Sequence, residues 1–343
     1  MRFEKGVSKA PIGKGAELKA TRETLPSVEV KNKVIWVNPS LDAPFNLKVG
    51  EPTRLGTFLS AKIPGDKLNL EVKNYHGRSA MLGRVVFKEK TTNTNNPQIY
   101  RDIDLKGIGH VVLTGWIGPV QKRAKGEAGG ILNKGAALQD MGISEIFHEY
   151  GIRTHRVIAI IELEEIVSED KKVSIADAKK LGMISEGSLP VVEVRAFGTQ
   201  ARLMDAVNQS VSSEKRNILI EDARLLVAEE LGLDIEKFSR DDYAKWLVRT
   251  VGKNLGLMHQ HGYVHKYLSM GHNITLDGCL VDFDSVGKLR GSPADAYYFG
   301  YEDDYTDASS ALAAFLKDAM GYDNETATSI MDEYRSAYSD YKK

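Results

Sequence analysis

Of 343 residues only one is a cysteine, Cys279, so the chain has no internal disulfide and no zinc site built on thiolates. Cys279 sits in a short apolar run and reads as a small core residue rather than a redox centre. Charge of one sign is also missing. With 46 basic against 47 acidic side chains, the formal net charge of −1 gives no field for nucleic acid or an anionic membrane. No apolar run nears the ~20 residues that span a bilayer, and the first residues lack the apolar core of a secretory signal. The expectation is a cytoplasmic enzyme with no membrane and no nucleic-acid partner. Its length suits two lobes with a cleft between them.

What is present concentrates in residues 255–287, LGLMHQHGYVHKYLSMGHNITLDGCLVDFDSVG. A helical apolar pattern through Leu255 and Met258 runs to Gly262, and a polar loop follows. Two short β-runs, 274–276 and 279–281, then flank Asp277-Gly278, a strong hairpin signal. That hairpin brings the amide of Asn273 and the carboxylate of Asp282 to one end of a β-ribbon. Hard oxygen donors of this kind suit Mg²⁺, or Mn²⁺, that also holds substrate phosphates. Any one of these residues reads singly as a turn residue. The ordered set of helix, His-bearing loop, Asn, hairpin and Asp-Phe-x follows the catalytic-loop and metal-loop order of protein kinases.

Along the rest of the chain, residues 1–30 show no period and are expected as an arm on the surface. Lys33-Val34-Ile35-Trp36-Val37 is the first strand, and 72–90 holds two extended segments. Residues 75–86, YHGRSAMLGRVV, read either as a hairpin or as a turn whose Gly83 and Arg84 offer backbone N–H and guanidinium to phosphate. In 99–109, IYRDIDLKGIG, strand alternation puts Ile99, Arg101, Ile103 and Leu105 on one face and Lys106 on the other. Followed by Gly-x-Gly, which permits close approach of another backbone, Lys106 is either a solubilising residue or a phosphate ligand. The pair Gly129-Gly130 opens a helix expected over 131–150 and forms an anion seat. Strands are expected at 154–163 and 190–197, with a surface excursion between them. From 201 onward helical period dominates, including 241–261 with the stripe Trp246, Leu247, Val251, Leu255 and Met258. The fold class is therefore α+β: a β-rich nucleotide-binding lobe, 1–200, and a helical lobe with the catalytic and metal loop, 201–343.

Several segments together carry a resemblance: Leu105-Lys106-Gly107-Ile108-Gly109, EIFHEYGIRTHRV at 145–157, Val194-Arg195-Ala196 with Arg202 seven residues on, Gly262-Tyr263-Val264-His265, and Val281-Asp282-Phe283. In this order they resemble the SelO/YdiU family, kinase-fold proteins that transfer AMP from ATP to protein hydroxyl groups. The resemblance implies a two-lobe protein-kinase-like fold with Lys106 as the nucleotide lysine and Gly129 and Gly130 beside the nucleotide. Asp140 then stands for the helix glutamate that pairs with the lysine, and Arg195 and Arg202 hold the phosphates of an inverted nucleotide. Asn273 and Asp282 hold the metal. Where the family has an Asp as proton acceptor, this chain has His272 in a loop one residue longer. Asp284 replaces a Gly, and the chain stops at Lys343, short of a typical member and without a C-terminal redox pair.

The expected activity is ATP- and Mg²⁺-dependent AMP transfer to a hydroxyl of an unidentified protein or small molecule. A kinase-type phosphotransferase and a catalytically silent nucleotide-binding pseudokinase are the alternatives.

Overall fold

Two apolar runs, Val-Ile-Ala-Ile-Ile at 157–161 and Pro-Val-Val at 190–192, have no polar face to give to water, so they form strands covered on both sides. In the computed structural model, which describes residues 22–43, 45–60, 62–73, 79–87, 98–109, 130–168, 171–289 and 300–342, they sit side by side as interior strands of a large sheet. The first half of the chain supplies β1 Arg22–Glu29, β2 Asn32–Val37, β3 Thr57–Leu59, β4 Lys67–Lys73, β5 Ser79–Phe87, β6 Tyr100–Lys106 and β7 Leu132–Asn133. Helix α1 Lys134–Glu149 follows, then β8 Arg156–Leu163, β9 Glu165–Ser168, β10 Lys171–Ser174, α2 Ile175–Lys180 and β11 Pro190–Phe197. The remainder is mostly helical: α3 Leu203–Val207, α4 Ser213–Glu230, α5 Arg240–Gln260, β12 Tyr263–Val264, β13 Gly287–Lys288, α6 Tyr301–Ala314 and α7 Asn324–Tyr341.

The sheet is antiparallel, in the order β2-β8-β11-β6-β5-β4-β1-β3, with β7 paired to β11. Residues 22–29 therefore do not lie on the surface as an arm. They pair with β4 from Arg22 opposite Lys73 to Val28 opposite Lys67, and with β3 on the other side. Their sequence, RETLPSVE, lacks apolar alternation because only Ser27 and Val28 are fully buried, so the pattern gave no strand signal. The β9–β10 hairpin and α2 account for the excursion at 164–188.

Two large apolar clusters hold the molecule. One lies against the sheet and includes Val34, Leu70, Ile103, Leu105, Ile158 and Val194; the other gathers Val227, Leu247, Val251, Leu255, Leu312 and Phe315 from the helices. The second also takes in Ile274, Leu276 and Leu280, which fastens the 273–282 turn to the helical side. Helix starts follow local chemistry. Asn133 accepts from the Gly135 N–H at 3.1 Å, and Ser239 and Asp242 cap α5 reciprocally. Helices α5 and α7 pack closely because Gly252 and Gly256 present no side chain to the facing carbonyls of Tyr334 and Tyr338. No helix among the described residues is long and apolar enough to cross a membrane.

Candidate functional site

Every residue of β6 is buried, including Arg101, Asp102, Asp104 and Lys106. Charges cannot stay in a sheet interior without partners, so each recruits an opposite charge from a neighbouring element. Lys106, at 2 % exposure, is not a surface lysine. Its ammonium contacts Asp282 and lies 3.3 Å from Asp140 of α1 and 3.4 Å from Asp284. Burial alone would depress the lysine, but Asp282 and Asp140 outweigh it and raise its pKa above the ordinary 10.5. Asp140 is fully buried, and burial would raise its pKa; Lys106 and then His155 hold it well below the usual carboxylate range instead. Its Oδ1 accepts from the Phe283 N–H at 2.8 Å, which ties α1 to the residue after Asp282.

On the adjacent strand β11, Arg195 stands opposite Asp104 in regular register with β6, while β8 on the other side carries one extra residue, Ile158, between the partners of Val194 and Arg195. Arg195 donates to Asp104 through Nε at 2.9 Å and Nη2 at 2.7 Å, and its Nη1 reaches Asp282 at 3.5 Å. Arg202, at the start of α3, donates to the Asn273 amide oxygen at 2.9 Å and to the His272 carbonyl at 2.5 Å. Asn273 in turn donates to the Tyr267 carbonyl at 2.9 Å.

The 273–282 turn closes as the Asp277-Gly278 signal requires. Gly278 adopts φ +75°, the Thr275 N–H reaches the Cys279 carbonyl at 3.0 Å, and the Val281 N–H reaches the Asn273 carbonyl at 3.1 Å. It is a tight ribbon with a single bridge, Ile274 to Leu280, rather than two full strands. Asp282 then turns into the left-handed region at φ 71°, ψ 65°, a conformation rare for a residue with a side chain and one that sites of function tolerate. The loop before the ribbon is pinned by Asp304 of α6, whose carboxylate accepts from the N–H groups of His265 at 2.5 Å and Lys266 at 2.8 Å. Burial keeps His265 neutral, so its Nε2–H donates to the Val281 carbonyl at 3.0 Å.

Behind Lys106 lies a further carboxyl. Glu193 faces Lys106 across the β11–β6 ladder and is fully buried. Burial, and Asp140 beside it, push its pKa well above the ordinary 4.5, which favours the protonated acid. His155 Nε2 lies 3.2 Å from the same Asp140, its ring stacked between Phe197 and Phe283.

No protein-family model matches the chain, and no curated protein matches its sequence. Among solved structures, the crystal structure of a Toxoplasma gondii specific rhoptry antigen kinase domain aligns over 81 % of this chain and 83 % of its own. The identity is 11 % and the TM-score 0.33. A superposition that loose carries no argument about activity.

The structure thus brings Lys106, Asp140, Arg195, Arg202, Asn273 and Asp282 together, with His272 half-buried at the rim and its carbonyl bound to Arg202. It does not bring Gly83 and Arg84 there. Both lie inside β5 rather than in a turn, and Arg84 donates to Asp102 at 2.8 Å and to both oxygens of Asp222 at 3.1 and 2.9 Å. A guanidinium spent on two buried carboxylates has no fork left for phosphate. Gly129 lies outside the described residues. Gly130 precedes the helix cap Asn133 by a short strand, and its carbonyl accepts from the Gly109 N–H at 3.2 Å, so it does not open α1. The Gly-x-Gly after Lys106 does admit a close approach, but of the protein's own chain: a Cβ on Gly107 would strike the Val191 carbonyl and lie 2.7 Å from the Leu132 Cβ.

Asp104, Glu193 and Asp304 were missed. For Asp104 the signal was present, because Asp102, Asp104 and Lys106 recur every second residue and form one charged face. Asp304 sits in the acidic first turn of α6, where acids need no further explanation. Among the described residues no group of three or more His, Cys, Asp or Glu side chains is placed to hold a metal.

Proposed function

We propose that this site binds ATP with a divalent cation and transfers AMP to a hydroxyl of a protein or small molecule, in the manner of the SelO/YdiU proteins it resembles. The proposal includes a kinase-like division into a β-rich lobe, 1–200, and a helical lobe, 201–343. One observation carries it. An ammonium and two guanidinium groups from β6, β11 and the start of α3 converge on the oxygens of Asn273 and Asp282, though these five residues are scattered over the sequence.

Mg²⁺ fits the donor chemistry there. Two hard oxygens and water or phosphate are its customary ligands, so a full protein cage is not needed. Asn273 and Asp282 would hold it, and it would neutralise phosphate charge. Lys106, Arg195 and Arg202 take up the remaining phosphate charge, and that preorganised positive field supplies most of the rate. In the transfer, the acceptor oxygen attacks the α-phosphorus, the bond from that phosphorus to the β-bridging oxygen breaks, pyrophosphate leaves, and the hydroxyl proton passes to His272. A second reading, a silent nucleotide-binding protein, is supported by His272 standing in place of an acid and by the carboxylates already gathered on Lys106.

Mass spectrometry after incubation with ATP and Mg²⁺ or Mn²⁺ separates the readings: a gain of AMP supports the transferase, a gain of phosphate a kinase, and no gain with retained ATP binding the silent form. Arg202→Ala should weaken ATP binding by the ~1.5–3 kcal/mol of a charge-assisted hydrogen bond. Unchanged affinity in this variant and in Lys106→Ala would discard the nucleotide site.

A further inference from the structure

Arg84 does not reach the candidate site, and the group that holds it has a consequence for that site. Asp222 of α4 is 5 % exposed and accepts from two guanidinium groups of the sheet. Arg84 of β5 reaches it through Nη1 at 3.1 Å and Nη2 at 2.9 Å, and Arg101 of β6 through Nη1 at 3.2 Å and again through Nη2. The same two arginines then act on the crossover from sheet to helices at 198–202. Arg101 Nε donates to the Gly198 carbonyl at 2.9 Å. Arg84 Nε holds Asp102 at 2.8 Å, and the other oxygen of Asp102 accepts the Gln200 N–H at 2.9 Å.

From Gln200 the chain of contacts enters the candidate site. Its side-chain amide donates to Asp104, the carboxylate that orients Arg195. The crossover backbone also carries the metal-type ribbon: Leu276 N–H reaches the Ala201 carbonyl at 2.8 Å, and Leu203 N–H the Ile274 carbonyl at 2.9 Å. There is no slack in the segment, since a Cβ on Gly198 would strike the Asp277 carboxylate.

We propose that Asp222, acting through Arg84 and Arg101, is a positioning residue that fixes the 198–202 crossover and so sets Arg195 and Arg202 at the angle that meets phosphate. A buried carboxylate facing two guanidinium groups is costly to remove, because both cations are then left short of a counter-charge. Its nucleotide arm rests on the proposed ATP site; its structural arm does not.

The test uses the full chain with Asp222→Asn, which keeps shape but loses charge, and Arg84→Lys, which keeps charge but cannot span Asp102 and Asp222 together. Hydrogen exchange at the Gln200 amide should quicken at least about tenfold in both variants, with the amides of α5 between Leu247 and Leu255 unchanged. Equal rates at Gln200, or an equal rise throughout α5, would overturn the proposal. If Asp222→Asn fails to fold, Arg84→Lys decides alone.

For the nucleotide arm, ATP·Mg²⁺ affinity is measured in wild type, Asp222→Asn, Arg195→Ala and the double variant. A positioning residue that works through Arg195 makes the double loss smaller than the sum of the two single losses, whereas a generally weakened fold gives simple addition. Additive losses would overturn the claim that Asp222 acts through Arg195. Absence of any ATP binding by wild type would refute the function itself, while the exchange at Gln200 would still decide whether the crossover is held from Asp222.

Discussion

Glu193 is buried without a cation of its own beside a lysine, and its proton has a thermodynamic signature. Its folded-state pKa lies above the unfolded 4.5, so between these values the folded protein keeps a proton that the unfolded chain releases. That stabilisation is complete below the unfolded pKa and is lost as pH rises, at up to ~1.4 kcal/mol per unit, until the folded pKa is passed. Glu193→Gln is neutral at every pH, so wild type should lose Tm relative to the variant as pH is raised from about 5 to 9. A gap between the two that stays constant, or widens towards acid, would show that Glu193 is ionised in the folded state. His272 belongs to the same scale. As the proton acceptor, its replacement by Ala should lower kcat for AMP transfer by ~10²–10⁴ with ATP affinity nearly kept. Wild-type kcat in His272→Ala would mean that positioning alone drives the reaction.

At the level of elements, the contact between α5 and α7 decides the sign of a substitution. Helix propensity alone favours Gly252→Ala by up to ~1 kcal/mol. The added Cβ, however, would lie 2.5 Å from the Tyr334 carbonyl and 3.3 Å from the Ala337 Cβ. Overpacking of that kind costs ~1–3 kcal/mol, so the denaturant midpoint should fall. A raised midpoint would mean that α7 shifts to make room. The stripe of α5 was legible because Leu247, Val251, Leu255 and Met258 repeat at helical spacing and all are buried, while Trp246 is only half-buried and lies under the Arg153 guanidinium. The Asp277-Gly278 turn was legible from its dipeptide. β1 was not, because a strand recruited by β4 and β3 needs no apolar pattern of its own. Arg84 stays ambiguous in the sequence for a related reason: an arginine in a Gly-bearing β-run looks alike whether it faces phosphate or a carboxylate on a helix far along the chain. Register across the sheet decides between them, and no local pattern states it.

For the molecule as a whole, the site predicts ligand-linked stability. At a concentration a hundredfold above its Kd, ATP·Mg²⁺ should stabilise the fold by about 2.7 kcal/mol and raise Tm accordingly. Lys106→Ala and Asp282→Ala should each erase that rise, and a full rise in either would place the nucleotide elsewhere. The broad split of strands before residue 198 and long helices after 203 was legible from periodicity alone, with α1 as the long helix on the sheet side. The charged interior was not, since its partners lie on different elements.

The strand order also bears on how the protein is made. β1, β3, β4 and β5 are close in sequence and can pair as soon as they leave the ribosome. β2 cannot: its Asn32 must wait for Leu163 and its Val37 for Ala159. Ile35, Trp36 and Val37 therefore spend much of translation without a strand partner, open to pairing with a neighbouring nascent chain, and β2 with β8 joins the rest of the sheet only after β11, which links β8 to β6, has emerged.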